Sequence, residues 1–242
     1  MSLTPYVHLD ASLADAGAAA ERPLSAEERH HLQRVLRLQP GAAIEVADGA
    51  GWQAPARITA AGVALRAAAV HTPASQPALV LAQALPKGRK LDEVLRQATE
   101  LGVDEVRLLT TERAVPRLTG ARAERARARW SAVVRAASEQ ARRPWRPRVR
   151  GPLDLDHLAR DDELLLVAHP EAPGLPTVVD ALVGATTLTL AIGPEGGFTD
   201  REVAEAVTGG ALAVSLGGSV LRTEHAGSAG IAVLSAAVGR WG

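Results

Sequence analysis

From residue 78 onward, short apolar runs alternate with longer stretches whose apolar positions recur every three or four residues. The runs at 78–84, 105–110, 164–168, 187–193 and 211–216 have the length and composition of strands, while 91–101, 121–142, 200–208 and 224–238 have helical spacing. Such an alternation predicts an α/β fold: a parallel sheet with helices on both faces. Upstream, 43–47, 52–59 and 63–70 are short extended runs, with turn chemistry at Asp48-Gly49 and Ala61-Gly62. Ser25-Ala-Glu-Glu has the form of a capping box that opens a short helix through Arg37. Five or so strands with one helix predict a small β-barrel over residues 1–72. Thr72, Pro73, Ser75 and Pro77 interrupt the periodicity and place a boundary, with a second domain over 73–242.

Two stretches near the C-terminus share one local grammar: an apolar run, a glycine-containing turn and a helix start. The first turn is Ile192-Gly193-Pro194-Glu195-Gly196-Gly197, followed by Phe198 and Thr199; the second runs from Ser215 through Leu216, Gly217 and Gly218 to Val220, Leu221, Arg222, Thr223 and Glu224. On neighbouring parallel strands such turns would face one crevice, where open α/β sheets bind their ligands. Gly193, Gly196 and Gly197 are expected to allow positive φ and close approach of a ligand to the backbone. Pro194 stiffens that turn, and Thr199 or Asp200 can cap the following helix. Val220 and Leu221 offer an apolar wall, which suits a flat ligand such as an adenine. Two ordinary strand-to-helix turns are the competing explanation. A P-loop is excluded by the absence of GxxxxGK[ST], and the glycines do not form GxGxxG.

The blocks IGPEGGFTDREV (192–203) and LGGSVLRTEHA (216–226) resemble the signature motifs of the RsmE family, the 16S ribosomal RNA (uracil-N3)-methyltransferases of the SPOUT class. ALPKGRKLDEVLRQATELGVDEV (84–106), SEQ (138–140) and HHLQRVLRLQPG (30–41) extend the resemblance in order over nearly the whole chain. It implies a C-terminal α/β domain tied in a trefoil knot that binds S-adenosylmethionine (SAM), and an N-terminal PUA-like RNA-binding barrel. The implied cofactor pocket has three segments: Val167, Ala168 and His169; Ile192, Gly193, Pro194, Glu195, Gly196 and Gly197; and Leu216, Gly217, Val220, Leu221, Arg222 and Thr223. The usual Arg-Thr-Glu-Thr-Ala is here Arg222-Thr223-Glu224-His225-Ala226, and Leu3-Thr4-Pro5-Tyr6 lacks an arginine the family often has near this point.

Methylating uracil N3 needs its proton removed or the developing anion stabilised, while SAM supplies an activated methyl group. Arg222 is a candidate stabiliser of charge on the uracil oxygens, or a partner for the cofactor carboxylate. Glu224 is a candidate base or an N-terminal charge for the last helix. Glu139, with Arg142 one helical turn on, either forms an ion pair or reaches the active site. His169 is a polar residue at a strand end, a position more often structural than catalytic. Another SPOUT methyltransferase, acting on a different ribosomal or transfer RNA position or on a ribose 2′-OH, and a non-catalytic RNA-binding protein of this fold are the rival classes.

Formal net charge is zero, yet residues 117–150 hold eleven Arg against Glu124 and Glu139, a local +9. Charge of that density is an electrostatic footprint for phosphate. Arg122, Arg125 and Arg129 share a helix face at i, i+3 and i+7, and with Arg34, Arg37, Arg142 and Arg143 they are the candidate RNA contacts; a solvated face is the alternative. His30 and His31 project roughly 100° apart on a helix and make a poor metal pair, so no metal is expected. With no cysteine, disulfides and Cys-ligated zinc are excluded. The first thirty residues lack a signal peptide and no apolar run approaches membrane-spanning length, so a cytoplasmic protein is expected. The small residues Ala226, Gly227, Ala229, Gly230, Ala232, Ala236 and Ala237 of the last helix, with Ile231, Val233 and Leu234 among them, point to a homodimer; a close-packed internal helix is the alternative.

Overall fold

A computed structural model describes residues 4–114, 120–155, 158 and 163–241. The chain divides into two units, one of residues 1–74 with 138–146 and one of residues 75–137 with 147–242.

In the first unit six strands form a mixed sheet: β1 (Tyr6–His8), β2 (Glu21–Pro23), β3 (Ala43–Ala47), β4 (Trp52–Ile58), β5 (Gly62–Leu65) and β6 (Val70–His71). The order is β1-β3-β4-β5-β2, with β6 also on β4; β1 and β3 are parallel and the other pairs antiparallel. Alternate residues Ile44 and Val46, then Ala54, Ala56 and Ile58, enter one core with Val7, Leu9, Leu32, Val63 and Leu65. The expected strand over 63–70 is split. Pro55 has no N–H to extend the ladder, so after Arg66 N–H donates to Pro55 O at 2.8 Å the chain leaves the sheet and rejoins it at Val70.

The capping box forms as expected: Ser25 Oγ accepts from Glu28 N–H at 3.2 Å, and Glu28 Oε2 accepts from Ser25 N–H at 2.6 Å. Helix α1 (Ala26–His30) then widens into a π turn over His31–Val35. The helix therefore stops short of Arg37, which lies beyond its C-cap, Leu36, at φ 56°. A bond from Leu38 N–H to Leu32 O, 2.9 Å, closes this end and leaves Arg34 and Arg37 exposed.

Residues 138–146 complete the first unit. Gly51 N–H donates to Pro144 O at 3.1 Å and Arg146 N–H to Gly49 O at 3.0 Å, adding Trp145 to the sheet. Trp145 Nε1 donates to Thr72 O at 2.8 Å.

The second unit carries a wholly parallel sheet in the order β12-β10-β11-β7-β8-β9. Its strands are β7 (Ala78–Ala84), β8 (Glu105–Thr110), β9 (Arg148–Asp154), β10 (Glu163–Ala168), β11 (Thr187–Ile192) and β12 (Leu212–Val214). Residues alternate between two cores. Leu79, Leu81, Leu166, Leu188, Leu190 and Ile192 meet α2 (Lys90–Glu100), α3 (Gly120–Gln140) and α5 (Thr223–Ala237) through Leu95, Trp130, Val134, Ile231 and Leu234. Ala82, Ala84, Ala191, Leu165 and Val167 face a second cluster with Phe198, and with Val203 and Ala206 of α4 (Asp200–Thr208). Helices on both faces of a parallel sheet are thus as expected.

Four elements escape the hydrophobic pattern. β1 and β2 have three residues each, β2 reading Glu-Arg-Pro. β9 is an edge strand that alternates Arg148, Val149 and Arg150 before Gly151-Pro152. A 3-10 helix at Leu175–Leu182 is apolar without α-helical length.

Candidate active site

Strand order corrects one expectation about the two glycine turns. They follow β11 and β12, which are not neighbours, because β10 runs between them. The crevice is therefore three strands wide, and the end of β10 supplies Ala168 and His169 between the turns. A cavity of about 740 Å³ opens there, lined by both turns, by Ala168 and His169, and by Lys90, Arg113 and the start of α5. That volume lies within the range of small-molecule sites.

In the first turn only Gly197 is left-handed, at φ 69°; Gly193 and Gly196 have ordinary φ, contrary to expectation. Gly193 is required for space instead, since a Cβ there would stand 2.9 Å from Gly197 C. Gly197 N–H donates to Pro194 O at 2.9 Å, closing the turn. Thr199 then caps α4 reciprocally with Glu202, at 3.1 Å and 2.7 Å. Arg113 Nη1 straps this turn, donating to Gly196 O at 2.7 Å and Phe198 O at 3.0 Å.

The second turn is held by Ser215, whose backbone accepts from Leu175 N–H at 2.8 Å and whose Oγ accepts from Gly217 N–H at 3.3 Å. Gly217 has φ 131°, a value glycine alone adopts readily. A Cβ at Gly197, Gly217 or Gly218 would meet open space, so bare backbone faces outward at both turns. Val220, 84% exposed, and Leu221 supply the apolar wall.

Arg222 is the N-cap of α5, exposed and without a side-chain partner among the described residues. Thr223, which is buried, donates its hydroxyl to Gly193 O at 2.7 Å. Glu224, in the first helical turn, is 9% exposed and lies 3.2 Å from Lys90 Nζ. The same ammonium lies 3.3 Å from Glu195, whose Oε1 also accepts from Lys87 N–H at 3.1 Å. The backbone N–H at its own helix start lowers the Glu224 carboxyl against the opposing effect of burial, and Lys90 lowers it further. Burial pushes Glu195 up, but backbone donors and Lys90 outweigh it and hold it below the ordinary carboxylate value. Lys90 is raised, first by Glu224 and then by Glu195. His169 is half-buried, and its Nδ1 accepts from Glu171 N–H at 3.3 Å.

Three expected site residues lie elsewhere. Val167 is fully buried in the core beneath the cavity. Glu139 belongs to the first unit, where it accepts from His8 N–H at 2.9 Å and lies 3.7 Å from His31. Arg142, left-handed at φ 53°, donates to Thr4 O at 2.8 Å and to Glu45 at 2.6 Å, with its guanidinium 5.1 Å from the Tyr6 ring centre. It makes no ion pair with Glu139, because that left-handed turn ends the helix that would have stacked them. Of the other basic candidates, Arg122 and Arg125 are exposed on α3, Arg129 pairs with Asp92, and Arg143 is half-buried; Arg117, the first residue of the basic stretch, lies outside the described residues. Lys90 and Arg113 were missed as cavity residues. A lysine at the first position of α2 opposes its own helix dipole, the one signal that it serves something else; Arg113 leaves none.

Residues 73–237 match the RNA methyltransferase domain family and residues 24–62 the RNA methyltransferase PUA domain. These define a SPOUT-class RNA methyltransferase with a PUA-like domain. The chain belongs to the ribosomal RNA small subunit methyltransferase E family. It is 35% identical to that methyltransferase from Mycobacterium bovis, over 95% of this chain and 91% of the relative. The fold is similar to a Legionella pneumophila protein solved with bound SAM (TM-score 0.86, 29% identity, 98% of each chain). It is also similar to a ribosomal RNA small subunit methyltransferase E from Neisseria gonorrhoeae bound to SAM (TM-score 0.83, 28% identity, 97% of this chain and 98% of the other).

The residues present fit that cofactor. Open backbone at Gly197, Gly217 and Gly218 can hydrogen-bond an adenine edge between the aliphatic side chains of Ile192, Leu216, Val220 and Leu221. No group of three or more His, Cys, Asp or Glu suited to a metal occurs among the described residues, and none of their helices is long and apolar enough to cross a membrane.

Proposed function

We propose that this protein transfers the methyl group of SAM to N3 of a specific uridine in 16S ribosomal RNA of the small subunit. The observation that carries the proposal is the cavity at the carboxyl ends of β10, β11 and β12, walled by two glycine turns with bare backbone, in a chain of this family. SAM supplies an electrophilic methyl; the chain's own residues bind, orient and neutralise. Backbone at Gly197, Gly217 and Gly218 and the side chains of Ile192, Leu216, Val220 and Leu221 hold the cofactor. Arg222, unpaired among the described residues and lining the cavity, is the cation for charge developing on the uracil oxygens. Glu224 is held ionised by the helix start and Lys90, which suits an anchoring charge and not a base awaiting a proton near neutrality.

RNA is engaged by two basic surfaces, Arg34 and Arg37 in the first unit and Arg122 and Arg125 on α3. Arg37 supports this reading: an arginine occupies a left-handed position where glycine costs less, and strain of this kind clusters at functional sites. The domains are the RNA-binding unit over 1–72 and the methyltransferase over 73–242, of which 138–146 pack with the first unit, and the methyltransferase carries the knot that the family resemblance implies. The protein acts as a homodimer in the cytoplasm. Mass-spectrometric mapping of 16S RNA from a strain lacking the gene, with and without complementation, tests the activity: one N3-methyluridine disappears and returns. Loss of a ribose methylation or a transfer RNA modification instead would replace this reading.

A further inference from the structure

Gln83 is fully buried near the end of β7, on the central strands of a sheet whose neighbouring positions are aliphatic. Its Nε2 donates to Thr223 Oγ1 at 3.0 Å and to Ala84 O at 3.1 Å. The Thr223 hydroxyl in turn donates to Gly193 O at 2.7 Å. We propose that Gln83 and Thr223 are positioning residues, a one-way hydrogen-bond relay that fixes the start of α5 against the first glycine turn and so sets the spacing of the cavity walls. This rests on reading the cavity as the SAM site.

The direction of the relay follows from the chemistry of its members. A carbonyl only accepts, so Gly193 O takes the threonine hydrogen and the hydroxyl lone pairs are left to accept. Gln83 must therefore present its NH₂ there. Turning the amide over would set Oε1 against Ala84 O, which also only accepts. In this orientation Gln83 Oε1 has no hydrogen-bond partner among the described residues. A buried carbonyl left unsatisfied is costly, and an aliphatic side chain would avoid that cost, so the amide is kept for its donor. Helix α5 also comes close at this level. A Cβ on Gly227 would stand 3.1 Å from Leu81 and 3.2 Å from Gln83 Oε1.

The relay joins three elements at the cavity floor: β7 through Gln83, α5 through Thr223 and the turn after β11 through Gly193. Arg222 and Glu224 flank Thr223, so their placement above the first turn depends on it. Sequence position alone hides this link, since Gln83 and Thr223 are 140 residues apart.

Thr223→Val keeps side-chain shape and removes the hydroxyl, Thr223→Ser keeps the hydroxyl, and Gln83→Met removes the donor at similar volume. Calorimetry with SAM is expected to show Thr223→Val and Gln83→Met binding about tenfold more weakly, and Thr223→Ser within about twofold of the parent. The double variant should bind no worse than either single, because the two residues act as one unit. In steady state the loss should appear in KM for SAM more than in kcat. Thr223→Val with parental SAM affinity, whatever its melting temperature, overturns the proposal by reducing the pair to a core contact. Melting of the cofactor-free protein gives a separate check: non-additive losses in the double-mutant cycle support the relay and additive ones overturn it. A parent protein that binds no SAM, yet shows that non-additivity, overturns the reading of the cavity and leaves the relay standing.

Discussion

Lys90 of α2 and Glu224 of α5 meet at 3.2 Å on the rim of the cavity, an ion pair without the alignment of a hydrogen bond. Glu195 of the first glycine turn approaches the same ammonium, so one lysine ties together the start of α2, a wall of the cavity and the start of the last helix.

This bracket sets a pH window. Both carboxyls are lowered in the folded protein, so their contribution is present above the ordinary carboxylate range and is lost as pH falls through the lowered values. Lys90 is raised, so its contribution is full below the ordinary lysine value and is lost as pH rises through the raised one. Stability should therefore be flat from about pH 6 to about pH 9 with respect to these groups. Lys90→Ala should move the acid limb up toward the ordinary carboxylate value of about 4.3. Urea unfolding across a pH series checks this, and an acid limb unmoved in the variant would show the bracket to be idle.

The two turns predict unequal tolerance of a methyl group. A Cβ on Gly193 would stand 2.9 Å from Gly197 C, whereas one on Gly218 meets open space at ordinary φ. Gly193→Ala should distort the turn, lowering melting temperature and weakening SAM binding together. Gly218→Ala should fold as the parent does, and any loss of SAM affinity then reports contact with the cofactor itself. Equal melting losses in the two variants would contradict this account of the turns.

The alternating core of the second unit was legible because its strands are apolar on both faces and its helices have a wide apolar stripe. β7 and β8 match the sequence reading residue for residue, as does α4 with its Thr199 cap. Periodicity carries nothing about strand order, so β10 between the two turns was invisible. Nor does it report long-range polar contacts: Glu139 and Arg142, close enough in sequence for a helical pair, instead answer to His8 and Glu45. Lys90, Arg113 and Gln83 escaped notice for the same reason, since what each does is defined by a partner far along the chain.

On α3 the buried positions Ala123, Trp130, Val134 and Ala137 define one face, leaving Arg122, Arg125 and Arg127 exposed. Arg129 is already paired with Asp92 and is the weakest RNA candidate of the row. Changing Arg122, Arg125 and Arg127 to Glu should weaken binding of 16S RNA while SAM affinity stays parental. The salt slope should fall by roughly 0.7 to 0.9 for each phosphate that the protein no longer neutralises. Filter binding over a salt series measures this. Parental binding with an unchanged slope would make the face a solvated one.

The last helix decides the case for the dimer. Its inner face, with Ala226, Gly227, Gly230, Ile231 and Leu234, is buried on the sheet and α2, and a Cβ on Gly230 would collide with Leu190. Those small residues serve internal packing, so Ile231→Glu would unfold the domain and says nothing about association. The outer face carries His225, Val233, Ala236 and Ala237 exposed, with Ala229 and Ala232 half-buried beside them. Val233 is a large apolar side chain at 43% exposure among small neighbours, a patch that a two-fold axis can bury against its own copy. We expect a dimer in solution that Val233→Glu separates, with a melting temperature close to that of the parent monomer fold and methyl transfer lost. Light scattering and a SAM-dependent methylation assay at one protein concentration check both halves of the expectation. A parent protein that is monomeric and fully active at that concentration, or a Val233→Glu variant that remains dimeric, would place the interface elsewhere or nowhere on α5.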